Sequence, residues 1–265
     1  MRNQTIQEIV GRVSASEHYT IFIVGDSITE GARATSDEAT YTAVFARGLA
    51  ERFKKEDRRV LRYDGKRHPT PNAELLPLLS YGEPVCVQEG TRGVLTVVRS
   101  GIGGNTIQRM LNRKNDFIGK EINGRAADLY IIMVGINDAL SCDASKFVTP
   151  EGFRQNLDKL LDELEGGNPQ ADVILMTPTY NDTGKRPASH LEPYATEMQA
   201  AAKERFIPVI DQHRLWMEHL VVDGENYGQG DWLSGVTGDS CHPSDKGHEA
   251  IAKEMLRCLF EESAL

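Results

Sequence analysis

Five short apolar runs dominate this chain: residues 19–24 (YTIFIV), 94–98 (VLTVV), 129–134 (LYIIMV), 173–176 (VILM) and 207–210 (IPVI). Each is rich in β-branched residues and most lack alternation. A strand with one wet face alternates polar and apolar residues. A strand apolar throughout is covered on both faces, as in a parallel sheet between helical layers. Segments of helical spacing fall between the runs, at 39–53, 151–164, 193–206 and 244–260. Pro150 suits a first helical turn, and Pro243 and Ser244 suit the start of the last helix. The pattern predicts an α/β chain, a three-layer α/β/α sandwich with a mainly parallel five-stranded sheet. Right-handed crossovers would place helices on both faces.

The chain has 265 residues, 40% of them hydrophobic, enough for one full core. No repeat or linker divides it, so 1–265 is expected to be a single domain. Residues 54–93 carry Gly65, Pro69, Pro71, Pro77, Gly82, Pro84 and Gly90. That stretch is too long for a plain connection and is expected to be an insertion. The charge run 51–59 reads as a solvated helix end. A net charge of -9 repels phosphate backbones, so nucleic acid is not an expected partner.

No apolar run approaches the ~18 residues that span a bilayer. The N-terminus lacks the apolar stretch of a signal peptide. Cys86, Cys142, Cys241 and Cys258 are scattered and suggest no metal clip. Together these features point to a cytoplasmic protein, with a secreted mature form and two long-range disulfides as the alternative. Oligomeric state is not encoded in any of this.

Four polar clusters lie where ligands bind in open α/β sheets, outside the carboxyl ends of strands. Gly25-Asp26-Ser27 follows the first run. Residues 100–105 (SGIGGN) follow the second, and Gly135-Ile136-Asn137-Asp138 the third. Asp239-Ser240-Cys241-His242-Pro243 precedes the last helix. A serine hydroxyl needs a base within hydrogen-bond reach to act as a nucleophile. Ser27 sits at a strand-to-loop turn, and His242 has a carboxylate, Asp239, three residues before it. That spacing lets Asp239 meet Nδ1 and leaves Nε2 to face Ser27.

A developing oxyanion needs preorganised donors. The Ser27 N–H, a glycine N–H and the Asn137 amide are candidates, with Gly101, Gly103 and Gly104 competing for the glycine role. Asp26, Gly135 and Asp138 are expected to support the loops. Tyr180, Asn181 and Trp232 are candidates for contact with substrate. Cys241 is read as a small buried residue, since neighbours in a chain rarely face each other. His248 is read as a surface or supporting histidine. No cofactor and no metal is called for.

These clusters resemble the four blocks of the SGNH hydrolase superfamily, the GDSL-like esterases and lipases. The blocks here are GDSITEG (25–31), GIGGNT (101–106), GIND (135–138) and DSCHP (239–243), in order. Ile28 stands where the family has leucine. The resemblance implies a flavodoxin-like fold of strand order 2-1-3-4-5. It also implies a serine esterase with Ser27, His242 and Asp239 as triad. It selects Gly104 as the second oxyanion donor, because Gly104 precedes Asn-Thr.

Residues 25–41 look more like bacterial carbohydrate esterases than long-chain lipases, so a small acyl ester of a saccharide is the expected substrate. A short-chain lipase, lysophospholipase or thioesterase shares the same machinery. Two readings from other classes compete: a metal-dependent phosphoesterase, which needs more ligands than the clusters offer, and an inactive binding module, which needs a broken catalytic position.

Overall fold

In a computed structural model of the chain, the described residues are 5–61, 93–122, 124–179, 188–222, 225–226, 231–234, 239 and 241–261. The expected insertion lies mostly outside them, as do Cys86, Tyr180 and Asn181.

The chain opens with α1 (Ile6–Ala15), started by a reciprocal capping box in which Thr5 and Glu8 satisfy each other's backbone N–H. Strand β1 (His18–Gly25) follows, then the one-turn helix α2 (Ser27–Glu30), α3 (Tyr41–Phe53) and β2 (Glu56–Leu61). After β3 (Val94–Gly101) come α4 (Ile107–Asn112), β4 (Leu129–Met133), α5 (Pro150–Gly167) and β5 (Asp172–Met176). The remainder is α6 (Ala188–Arg205), β6 (Val209–Ile210), α7 (Gln212–Leu220), the short pair β7 (Val221–Val222) and β8 (Glu225–Asn226), and α8 (Asp245–Phe260).

The main sheet runs β2-β3-β1-β4-β5-β6 with every pairing parallel. The five expected strands take the order implied by the resemblance. A sixth, β2, is added outside β3. The charged segment expected to end a helix is divided by Lys54, whose left-handed φ of 52° stops α3 and lets β2 begin. Five-stranded is therefore corrected to six-stranded.

Burial explains the absence of alternation. Every residue of β3, β4 and β5 is buried, and β1 is buried from Tyr19 onward. Helices α1, α3 and α8 pack together, as do α4, α5 and α6, giving the two outer layers. Helix α6 begins five residues earlier than expected and carries Pro193 inside it.

Register brings the chemistry to one edge. Gly25, the last residue of β1, pairs with Gly101 at the end of β3 and with Met133 at the end of β4. The strand order reverses at β1, which makes this edge the crevice of the fold. Arg113 fastens it from beneath. Its buried guanidinium donates to the carbonyls of Gly25 (3.2 Å) and Ser100 (2.8 Å) and to Ser100 Oγ (3.0 Å). Among the described residues no helix is long and apolar enough to cross a membrane.

Candidate active site

Ser27 is aimed by the turn that carries it. A Cβ on Gly25 would lie 1.9 Å from Thr29 Oγ1 and 2.9 Å from the Met133 carbonyl, so only glycine lets α2 fold back so tightly. The buried Asp26 caps α2, accepting from the Ile28 N–H at 2.9 Å. Ile28 sits in the core, and Thr29 Oγ1 meets Tyr41 Oη at 2.8 Å, pinning α2 to α3. As the first residue of a helix, Ser27 has an N–H with no carbonyl one turn back to receive it.

His242 comes from a turn closed by a bridge between Leu233 and Pro243. Ser234 N–H donates to the His242 carbonyl at 3.0 Å, and Ser244 N–H to the Trp232 carbonyl at 2.8 Å. Gly247 permits this approach, because a Cβ there would fall 2.1 Å from that Trp232 oxygen. The half-buried ring of Trp232 stacks on His219 at 3.6 Å and meets Trp216 edge-on. Its backbone, rather than its ring, is the tie to the His242 turn.

His242 Nε2 lies 2.8 Å from Ser27 Oγ. Its Nδ1 lies 2.9 and 3.0 Å from the two oxygens of Asp239. The Asp239 side chain is 7% exposed and His242 23%. Burial works against the Asp239 carboxylate, but Arg33, His242 and the Cys241 N–H hold its pKa below the ordinary value. Arg33, which drew no attention in the sequence, donates through Nε to Asp239 Oδ2. It takes a left-handed φ of 69° in the loop after α2.

Two further ties hold that loop to α8. Thr35 N–H donates to Asp245 at 2.9 Å, and His248 Nε2 donates to the Ala32 carbonyl at 3.2 Å. His248 is fully buried, and its Nδ1 accepts from the Tyr41 N–H at 3.3 Å. It is no surface histidine.

The expected oxyanion donors come from the ends of β3 and β4. Asn137 is buried, and its amide donates to the Asn105 carbonyl at 3.0 Å. Gly101 is needed for space: its Cβ would lie 2.1 Å from the Glu30 nitrogen. A Cβ on Gly103 would come within 3.9 Å of Ser27 Cβ, and Gly104 has a φ of +74°. Gly135, at φ +128°, passes against Pro178 and Tyr194. Asp138 is buried and accepts from the Ile107 N–H at 3.0 Å, fixing the start of α4. Burial, with a smaller push from Asp26, raises its pKa to about 7 against the pull of Ile107 N–H.

Cys241 departs from expectation. It is half-buried, and its Sγ lies 3.7 Å from His242 Nδ1 and 3.9 Å from Asp239 Oδ1. The tight turn brings chain neighbours face to face. Among the described residues, Cys142 is exposed, Cys241 half-buried and Cys258 buried. Among the described residues, Asp239, Cys241 and His242 are the one group of three side chains able to share a metal ion. A two-metal phosphoesterase holds its two ions about 3.5–4 Å apart and needs ligands for both, and the described residues supply one such group.

The family model described as GDSL-like lipase/acylhydrolase matches residues 21–255. Among curated proteins no significant relative is found. Solved structures share the fold. A lipase/acylhydrolase from Enterococcus faecalis is 23% identical, covering 90% of this chain and 94% of its own, at a TM-score of 0.59. An acetylxylan esterase from Geobacillus stearothermophilus is 21% identical, with 91% and 94% covered and a TM-score of 0.59. A two-domain esterase active on acetylated mannans is 19% identical at a TM-score of 0.63, and 98% of this chain covers 54% of that one.

Proposed function

The chain belongs to the GDSL-like lipase/acylhydrolase family and is a carboxylic ester hydrolase, and from that premise we propose that it is a serine esterase removing small acyl groups, acetyl above all, from a carbohydrate. The observation that supports this best is the continuous line from Ser27 Oγ through the His242 ring to Asp239, with gaps of 2.8 and 2.9 Å. The carbohydrate half of the reading draws on two of the structural neighbours, one named for acetylxylan and one for acetylated mannans.

In the proposed reaction His242 Nε2 takes the Ser27 proton as Oγ attacks the ester carbonyl. Asp239 holds Nδ1–H, keeps the ring in the right tautomer and offsets the imidazolium charge. The N–H groups of Ser27 and Gly104 and the Asn137 amide stabilise the oxyanion. His242 then protonates the leaving alcohol. In the second half-reaction it activates water, which releases the acid from the acyl-enzyme and restores Ser27. Asp26, Gly135 and Asp138 keep the loops in place, and no cofactor enters any step. The reading takes residues 1–265 as one catalytic domain and, from the scattered cysteines of the sequence, a cytoplasmic setting.

The test is hydrolysis of p-nitrophenyl acetate, butyrate and octanoate, then of acetylated xylo- and manno-oligosaccharides, by wild type and Ser27→Ala with and without EDTA. Expected are a preference for acetate, activity that survives EDTA, and a fall of about 10⁴-fold or more in the variant. Activity that survives the Ser27 change, or that needs added metal, sinks the reading.

A further inference from the structure

We propose that Asp239, Cys241 and His242 form an inhibitory site for a thiophilic divalent cation such as Zn²⁺. The proposal rests on the reading of His242 as the general base.

The geometry carries it. A zinc ion bound by one thiolate, one imidazole and one carboxylate has bond lengths of about 2.3, 2.05 and 2.0 Å. In a tetrahedron those lengths separate sulfur from nitrogen by about 3.5 Å, sulfur from oxygen by about 3.5 Å, and nitrogen from oxygen by about 3.3 Å. The corresponding separations here are 3.7, 3.9 and 2.9 Å, each within about 0.4 Å of the ideal. The turn needs only a small adjustment to accept the ion. The donor set is mixed nitrogen, sulfur and oxygen, which zinc takes and magnesium or calcium does not. Arg33 engages Asp239 through Oδ2, so the carboxylate stays anchored while Oδ1 turns to the metal.

The chemistry makes such a site inhibitory. The metal occupies the place between His242 Nδ1 and Asp239 Oδ1 that the ring proton holds in the active enzyme. Cys241 gives up its thiol proton to solvent and binds as thiolate. The ring proton moves from Nδ1 to Nε2. An Nε2 that carries a proton donates to Ser27 Oγ and cannot receive from it, so the nucleophile loses its base. The same three residues that favour a metal therefore stop the reaction when one binds. The sulfur is the discriminating ligand, since the other two belong to the proposed triad.

Two readouts test this. Zn²⁺ is titrated into p-nitrophenyl acetate hydrolysis by wild type, Cys241→Ser and Cys241→Ala. Cd²⁺ is titrated into Ser27→Ala, with and without Cys241→Ser, while the ultraviolet cadmium–thiolate band is followed. Expected are inhibition of wild type that EDTA reverses, and an inhibitory concentration at least about 10-fold higher in both Cys241 variants, with uninhibited rates near wild type. The part of the cadmium band that saturates at one equivalent is expected to vanish in the double variant. A band unchanged by Cys241→Ser overturns the site, whatever the esterase assays show. A band that saturates while wild type keeps full activity overturns the inhibition. Because the band is read in a variant without the nucleophile, failure of the esterase reading would appear separately, as absence of hydrolysis in metal-free wild type.

Discussion

The Arg33 guanidinium donates to Oδ2 of Asp239, the carboxylate whose Oδ1 stands 2.9 Å from His242 Nδ1. One cation from the loop after α2 thus shares a carboxylate with the imidazole it orients. Asp239→Asn is expected to lower kcat by about 10⁴-fold, because an amide stabilises the wrong ring tautomer. Arg33→Gln keeps the carboxylate and loses its anchor, so a fall of about 10-fold is expected. Steady-state kinetics on p-nitrophenyl acetate check both. Arg33→Gln that lowers kcat as much in an Asp239→Asn background as in wild type would mean that Arg33 acts on the substrate rather than through Asp239.

Asn137 is proposed to hold the oxyanion, which exists only in the transition state. Asn137→Ala should therefore reduce kcat by about 100–1000-fold with little change in KM. Thermal melting separates this from the lost bond to the Asn105 carbonyl. A variant whose KM rises while kcat stands would place Asn137 in ground-state binding instead.

His248 pulls stability down in acid. Burial lowers its pKa from 6.5 to about 4, against the weaker opposing effect of the Ala32 carbonyl. A histidine depressed in the folded state contributes stability that is whole above 6.5 and lost as pH falls toward 4. Melting temperature measured from pH 7 to 4 should fall more steeply in wild type than in His248→Gln. Parallel curves would remove His248 as the cause.

Asp138 works the other way. Its folded pKa is raised from 3.8 to about 7, so the unfolded chain loses this proton first as pH rises. The contribution is whole below 3.8 and is lost as pH climbs toward 7. Asp138→Asn keeps an acceptor for the Ile107 N–H and should gain stability relative to wild type between pH 4 and 7. Denaturant midpoints at those two values decide it, and a gain that does not grow with pH contradicts the burial argument.

The parts of this molecule that were legible in its sequence are those whose chemistry is local. A run such as LYIIM declares a strand buried on both faces, because no half-exposed strand tolerates it. Ser27, His242 and Asp239 declare themselves by residue type and by position beside glycines or a helix start. Strand β2 was hidden because an edge strand can carry charge, and Glu56-Asp57-Arg58-Arg59 reads as a helix surface. Pro193 resembled a helix start and lies within α6. Arg33, Arg113 and the contact of Cys241 with His242 depend on how distant or tightly turned backbone comes together. No spacing along the chain announces them. His248 falls between these cases: its helix was visible, but the carbonyl it serves belongs to a loop 216 residues earlier.

Ser27 and His242, the proposed nucleophile and base, are separated by 215 positions. During synthesis the ribosome therefore releases α2, with Ser27, long before the turn bearing His242. On the proposed mechanism, a nascent chain stopped anywhere in that interval is chemically silent, because Ser27 lacks its base. The first hydrolytic event any copy performs would thereby be a report that translation has passed the turn bearing His242.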